Sequence, residues 1–376
     1  MYATKSISNQ QTNEVNGRQI ALFAAFILPT GKLLETPSLL SKYAKGDLLL
    51  PAFLQFLFQA LILFLLLLAV RKSEMPLLQR LQALFGKWTA VFYSLYAVYF
   101  IFSAILPLLQ LEKYVYAVFF DTEPTLFFFA FFFFLSAFIC TKGLKTVGRS
   151  ADLCLFLFLL PFLALLVMSV GAADFSNILP FFSVSAKNTS LAFIRSTPHF
   201  SDVILLLPLL CNYRYKKGDV GKIMGGYAVG AGLVLLFLAV FFGIYASLAP
   251  REHYAFSKIA QYFPALSVVG RIDLIFIYFL TVVLFFYTCL PLQYTTELLS
   301  QTFQTEKKVI ISLLLNVALL LFVLFFNQHY DFFQSLLTGK LFFVFWIFAD
   351  LLPLLLLLLP KEKTNAKTRK KGVNYA

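Results

Sequence analysis

Charge is what this sequence has least of. Asp, Glu, Lys and Arg make up 13% of its 376 residues, against about 25% in a soluble domain. With 60% hydrophobic residues, the chain cannot form one water-soluble core. His is scarce as well, three in all, which argues against a His-built metal centre. The four Cys, at positions 140, 154, 211 and 289, fall in or beside apolar runs. Their spacing fits no zinc site, and they read as reduced packing residues. The sequence holds no phosphate-binding loop and no Ser/His/Asp constellation, so neither an enzyme nor a cofactor is expected. From Ser8 to Gln19 the chain is mostly polar and carries no cleavable signal pattern. The first apolar run is therefore expected to direct insertion.

What the chain has instead is apolar runs of membrane-crossing length, about 20 residues each. They are continuously apolar rather than alternating, which excludes a transmembrane β-barrel. Phe supplies 47 residues, with a near-continuous run from Phe127 to Phe134, and such side chains suit a lipid-facing surface. The runs predict ten transmembrane helices over residues 19–41, 47–70, 87–111, 125–141, 151–171, 189–212, 222–248, 268–301, 309–327 and 339–360. The expected organisation is a cytoplasmic N-terminal segment (1–18), a ten-span membrane domain (19–360) and a basic cytoplasmic tail (361–376).

The formal charge is +13, yet it is not a nucleic-acid footprint. The basic residues cluster in short loops and at the C-terminus. With the N-terminus inside, 21 fall on inner segments and 7 on outer loops, an asymmetry that places both termini in the cytoplasm. The lipid bilayer is the expected surroundings and no nucleic-acid partner is expected. Ten spans in this orientation give segments 1–5 and 6–10 opposite topology, as a five-plus-five inverted repeat requires.

Segments one and six are interrupted. The first break reads Ile27-Leu28-Pro29-Thr30-Gly31-Lys32-Leu33-Leu34-Glu35, and the second reads Arg195-Ser196-Thr197-Pro198-His199-Phe200-Ser201-Asp202. A proline in a helix interior removes one hydrogen bond and clashes with the preceding turn. Freed backbone groups inside a bilayer must be buried in protein or face water. Half-helix N-termini attract anions and half-helix carbonyls attract cations, a pairing suited to an amino-acid-like zwitterion. A plain proline kink without a ligand is the alternative for either break alone.

Charges beside the breaks sharpen this reading. A charge at the centre of a membrane helix costs at least ~2.5 kcal/mol, so it has a partner or a role. Asp202 reads as an N-cap, a holder of a ligand ammonium or a proton carrier. Lys32 either stands in for a coupling cation, paired with Asp202, or snorkels to the outer surface. The candidate ligand-binding set is Pro29, Thr30, Gly31, Lys32, Thr197, Pro198, His199 and Asp202, with Tyr96, Tyr287 and Thr288 on neighbouring spans as lining. Interhelical hydrogen bonding is the alternative for each of the last three. Asp350, before Pro353 in span ten, is an isolated buried acid with no evident partner.

Several short stretches resemble the spore germination permease family, the B subunits of endospore germinant receptors. They include Gln19-Ile20-Ala21-Leu22-Phe23 at the start of span one and Tyr43-Ala44-Lys45-Gly46-Asp47 before span two. Gly143-Leu144 followed by Gly148-Arg149 precedes span five, with Asp152 at a spacing that lets it pair with Arg149. Asn177-Ile178-Leu179-Pro180 follows span five, and Arg271-Ile272-Asp273 opens span eight. Two positions depart: Leu48 stands where the family often has Trp, and Asp202 where it often has Glu. The resemblance implies an amino-acid/polyamine/organocation transporter-like (LeuT-like) fold in the spore inner membrane or cell membrane. It further implies that the protein senses a small nutrient, often an amino acid, alongside a membrane-anchored A subunit and a lipoprotein C subunit. A proton-coupled amino acid transporter, and a scaffold with a vestigial site, are the other readings.

Overall fold

The computed structural model describes residues 15–72, 80–81, 85–119, 125–180, 182–261, 273–305 and 307–358. Most of the expected N-terminal segment, the basic tail 361–376, and Arg271 and Ile272 lie outside the described residues. Among the described residues the chain is helical, and the one β contact is an isolated parallel bridge between Val15 and Tyr213. The physical reason is the solvent: without water, backbone groups must bond within their own segment, and a helix does this locally.

In chain order the helices are α1 (Gly17–Lys32), α2 (Thr36–Asp47), α3 (Leu49–Arg71), α4 (Thr89–Phe119), α5 (Thr125–Cys140), α6 (Leu144–Val170), α7 (Ala186–Phe200), α8 (Leu207–Cys211), α9 (Asp219–Tyr245), α10 (Ala255–Gln261), α11 (Asp273–Thr302), α12 (Lys308–Phe326), α13 (Tyr330–Ser335) and α14 (Phe342–Leu358). Among the described residues six helices are long and apolar enough to cross a membrane, with a seventh if α1 and α2, bent by 63° at their junction, count as one broken span. The other expected segments are helical too but shorter or divided. α5 has 16 residues, α14 contains π and 3-10 turns, and segment six is split into α7, a 3-10 stretch and α8.

The outer surface is apolar and the interior is polar in places. Phe134, Phe138, Phe156, Leu160 and Val167 project outward, as a lipid-facing surface allows. Inside, hydroxyls bond the carbonyl one turn back: Thr281 to Ile277, Thr288 to Leu284, Thr295 to Pro291 and Thr296 to Leu292. This satisfies each hydroxyl within its own helix, and Thr295 also reaches the Ala97 carbonyl of α4 at 3.5 Å.

α9 lies against α1 through two glycines one turn apart. A Cβ on Gly226 would stand 2.4 Å from the carbonyl oxygen of Ala21, and one on Gly230 would stand 2.8 Å from that of Ala24. Small residues at this spacing let two membrane helices touch backbone to backbone. Since the obstacle at Gly226 is backbone, it cannot swing aside. Gly226→Ala is expected to destabilise the protein by about 1–3 kcal/mol, read as a lower unfolding midpoint of the purified protein, whereas Gly232→Ala, in open space, should leave the midpoint unchanged.

The start of α1 is tied down by the α8–α9 connection. Tyr213 donates to the carboxylate of Asp219, which lies against Gly17. Burial, reinforced by that carboxylate, raises the Tyr213 phenol above its ordinary range, so it stays a neutral donor. Asp152 pairs with Arg18 at 3.1 Å, not with Arg149 as the helical spacing allowed. The pairing crosses from α6 to α1, information that spacing along one helix does not carry.

At the opposite end, two of the family-like stretches meet. Asp47 accepts from the backbone N–H of Phe182 (2.8 Å) and Val184 (2.7 Å) and from the Ser183 hydroxyl (3.3 Å). Asn177 donates to the Gly243 carbonyl, and a Cβ on Gly46 would press to 3.3 Å of the Asn177 carbonyl. These motif residues thus fasten the loop leading into α7.

Candidate functional site

The first break bends as Pro29 and Gly31 imply. The helix passes through a π turn (Phe23–Ile27) into a 3-10 turn (Leu28–Lys32), then bends before α2. Thr30 donates to the carbonyl of Ile27 at 2.7 Å. The hydroxyl thus covers an acceptor at the break.

The second break differs from expectation. Pro198 lies inside α7, and the chain leaves the α-helix only at Ser201, as a 3-10 stretch (Ser201–Leu206). The bond a proline removes belongs one turn earlier, at Ile194. The residues after Pro198 stay helical until the Thr197 carbonyl is taken by both the N–H and the hydroxyl of Ser201. The segment is therefore tightened rather than unwound, and offers fewer free backbone groups than an extended gap would.

The two breaks are joined by Lys32 and Asp202. The Lys32 ammonium is buried, 1% exposed, and donates to the Asp202 carboxylate and to the Leu28 carbonyl, the latter at 3.2 Å. It lies 5.8 Å from the Phe56 ring centre and 5.5 Å from that of Phe200, distances at which a ring face attracts a cation. Lys32 does not snorkel to a surface. Its ammonium sits between a half-helix carbonyl and a carboxylate.

Beside this pair is a small cavity of about 30 Å³, lined among others by Gly31, Gln110, Pro198, His199, Tyr287 and Thr288. That is room for roughly one water, and too little for an amino acid. Two buried groups on its wall have no partner among the described residues: Nε2 of His199 and Nε2 of Gln110. Buried polar atoms without partners are costly, and these two suit a polar occupant. Gly31 matters for space, since a Cβ there would come within 2.7 Å of the Tyr287 ring and hydroxyl.

The other predicted site residues lie elsewhere. Pro29 faces Gly230 of α9. Thr197 accepts from Gln55 of α3 at 3.1 Å and bonds the Phe193 carbonyl. Tyr96 lines a second, larger cavity of about 530 Å³ with Phe100, Leu207, Cys211, Tyr294 and Gln301. Along α4 this vestibule ends at Phe100, and the small cavity begins at Ser103. The fully buried rings of Phe100 and Tyr294, 5.5 Å apart, form the wall at that level. The vestibule also takes in Leu81 and Phe85, so it lies toward the end of the bundle that carries Arg71, Lys72, Lys307 and Lys308.

At the other end Glu35 accepts from the Tyr330 hydroxyl and from Gln334 (2.8 Å), while Lys113 lies over the Tyr330 ring. This ties the start of α2 to α13.

Sequence reasoning missed Gln55, Phe56, Phe200 and Gln110. A signal existed for the first: Gln55 and Gln59, one turn apart, are polar residues on one face of an otherwise apolar α3. Phe56 and Phe200 carry none, because 47 Phe leave two cation-facing rings indistinguishable from packing.

Membrane helices broken inside the bundle are a pattern of transporter folds, and the comparisons point to a permease or transporter. The model of a family described as spore germination protein matches residues 49–331. The chain belongs to this spore germination permease family. Among solved structures, a mutant of the manganese transporter of Eremococcus coleocola aligns with a TM-score of 0.51. The match covers 90% of this chain and 77% of that one at 12% identity, a likeness of fold alone. No curated protein matches the chain.

Proposed function

We propose that the protein is the nutrient-sensing subunit of a spore germinant receptor, and that it binds a small zwitterion, an amino acid, where helices one and six are broken. The observation that carries this reading is the Lys32–Asp202 pair, which joins both breaks beside a cavity with two unpartnered polar groups. The ligand's ammonium competes with Lys32 for Asp202, and its carboxylate takes the free Nε2–H donors of Gln110. Because the cavity is too small in this conformation, binding requires the breaks to part. A ligand that binds the parted state more tightly shifts the population toward it, and that shift is the signal passed to the A and C subunits.

The proposed architecture is a ten-span, LeuT-like inverted repeat with both termini in the cytoplasm, supported by the basic-residue asymmetry and by the fold likeness. In that orientation the 530 Å³ vestibule opens inward. The vestibule favours a second reading, a proton-coupled amino acid transporter resting in an inward-facing state. The neighbour's cargo is not carried over: among the described residues no three His, Cys, Asp or Glu side chains gather as a metal site.

A panel of amino acids and other small nutrients, added to the purified protein during thermal unfolding, tests the reading. A true ligand at a hundredfold excess over its Kd stabilises by about 2.7 kcal/mol, a clear rise in midpoint. A panel in which nothing moves the midpoint would contradict it. Uptake of the binding nutrient into liposomes by this protein alone would select the transporter reading.

A further inference from the structure

Asp350 is used by nothing described so far. It sits on the π turn Trp346–Leu351 of α14 and is 1% exposed. Single π turns inside helices are frequent at functional sites. The turn packs directly on the 3-10 stretch that carries Asp202.

Its surroundings define its protonation. Gln59 of α3 donates from Nε2 to Oδ1 of Asp350 at 2.9 Å. Two atoms of this contact are left without partners among the described residues, Oδ2 of Asp350 and Oε1 of Gln59. Both are acceptors, so they cannot satisfy each other while Asp350 is ionised. A proton on Oδ2 changes this. It makes Oδ2 a donor to the Gln59 carbonyl oxygen and closes the two-bond ring that a carboxylic acid and a primary amide form. One proton therefore satisfies both orphans.

The charges around it agree. Two phenols face Asp350, Tyr99 on α4 and Tyr227 on α9, and the 3-10 stretch that carries Asp202 packs on its turn. The buried Lys32 of the breaks is committed to Asp202. An ionised Asp350 would add a second buried carboxylate with no cation of its own, a costly arrangement inside a membrane. Among the described residues the Tyr227 hydroxyl has no partner either, so it does not donate to Asp350 from α9.

We infer that Asp350, clasped by Gln59, is a proton-binding site of this protein, loaded with one proton in the conformation described. The ring opens, and the proton can leave, when α14 moves relative to α3. This gives the protein a proton store separate from the Lys32–Asp202 pair, and the inference does not depend on which nutrient binds.

Infrared spectroscopy of the purified full-length protein with carboxyl-¹³C aspartate reads the proton directly. At neutral pH the wild type should show an isotope-shifted carbonyl band of a protonated aspartic acid. Asp350→Asn, which can form the same two bonds with Gln59, should fold and lose that band. Gln59→Leu should keep the band but move it to higher frequency, since the acid loses its acceptor. No protonated-aspartate band in the wild type, an undiminished band in Asp350→Asn, or an unmoved one in Gln59→Leu would overturn the inference.

Discussion

Asp202→Asn is expected to lower the stability of the purified protein by about 3–5 kcal/mol, because it leaves the Lys32 ammonium buried with no counter-charge. Lys32 then has only uncharged partners, the new amide oxygen, the Leu28 carbonyl and two ring faces. Lys32→Met should cost less. It leaves a carboxylate that can neutralise itself by taking a proton, an exit that a lysine losing its partner reaches only by giving one up. The double variant Lys32→Met/Asp202→Asn should recover most of the loss, since replacing both members of a buried pair by groups of similar shape is often close to neutral. Denaturant unfolding of the four proteins gives the coupling directly. If the two single losses simply add in the double variant, the pair is not a unit, and the account of the breaks as one joined element fails. Restored stability with no restored nutrient response would separate the pair's role in folding from its role in binding.

Gly31→Ala is the second large effect, and it acts on binding. The new methyl would stand 2.7 Å from the Tyr287 ring and hydroxyl, inside a cavity of only about 30 Å³. Either Tyr287 is pushed across the cavity or the 3-10 turn shifts. Both remove space the ligand needs, and an apparent affinity at least about tenfold weaker, roughly 1.4 kcal/mol, is expected. Tyr287→Leu in the same background should restore part of it by removing the ring. The measurement is a nutrient dose–response of the thermal midpoint in wild type, single and double variants. An unaltered dose–response in Gly31→Ala would place the ligand elsewhere.

The breaks were legible because proline and glycine carry their backbone consequences openly. Pro29 and Gly31 mark a bend that the structure shows. Pro198 marked the right stretch, Arg195 to Asp202, but the α-helix runs past it to Phe200. The departure from the α-helix begins at Ser201, and the mainly apolar Ser201–Leu206 has no residue signature of a 3-10 stretch. Lys32 stood out as a charge in an apolar run, and pairing with Asp202 was one of two readings. The distance along the chain, 170 residues, carried no information to choose between them; the fold did. Arg18 and Asp152, and Gln59 and Asp350, are pairs of the same kind, made across helices and invisible to local spacing. Helix count was legible in outline only. Hydropathy marks apolar length, but π and 3-10 turns in α1 and α14 shorten and bend spans without changing their apolar composition.

The central claim is that a small nutrient binds where helices one and six are broken. Equilibrium binding of a radiolabelled amino acid, one that raises the thermal midpoint, tests it most directly. The proteins to compare are wild type, Gly31→Ala and the stability-restored Lys32→Met/Asp202→Asn, each purified and shown to be folded. The account predicts saturable binding to the wild type, at least about tenfold weaker binding to Gly31→Ala, and none measurable to the double variant. Equal affinity in all three would contradict it.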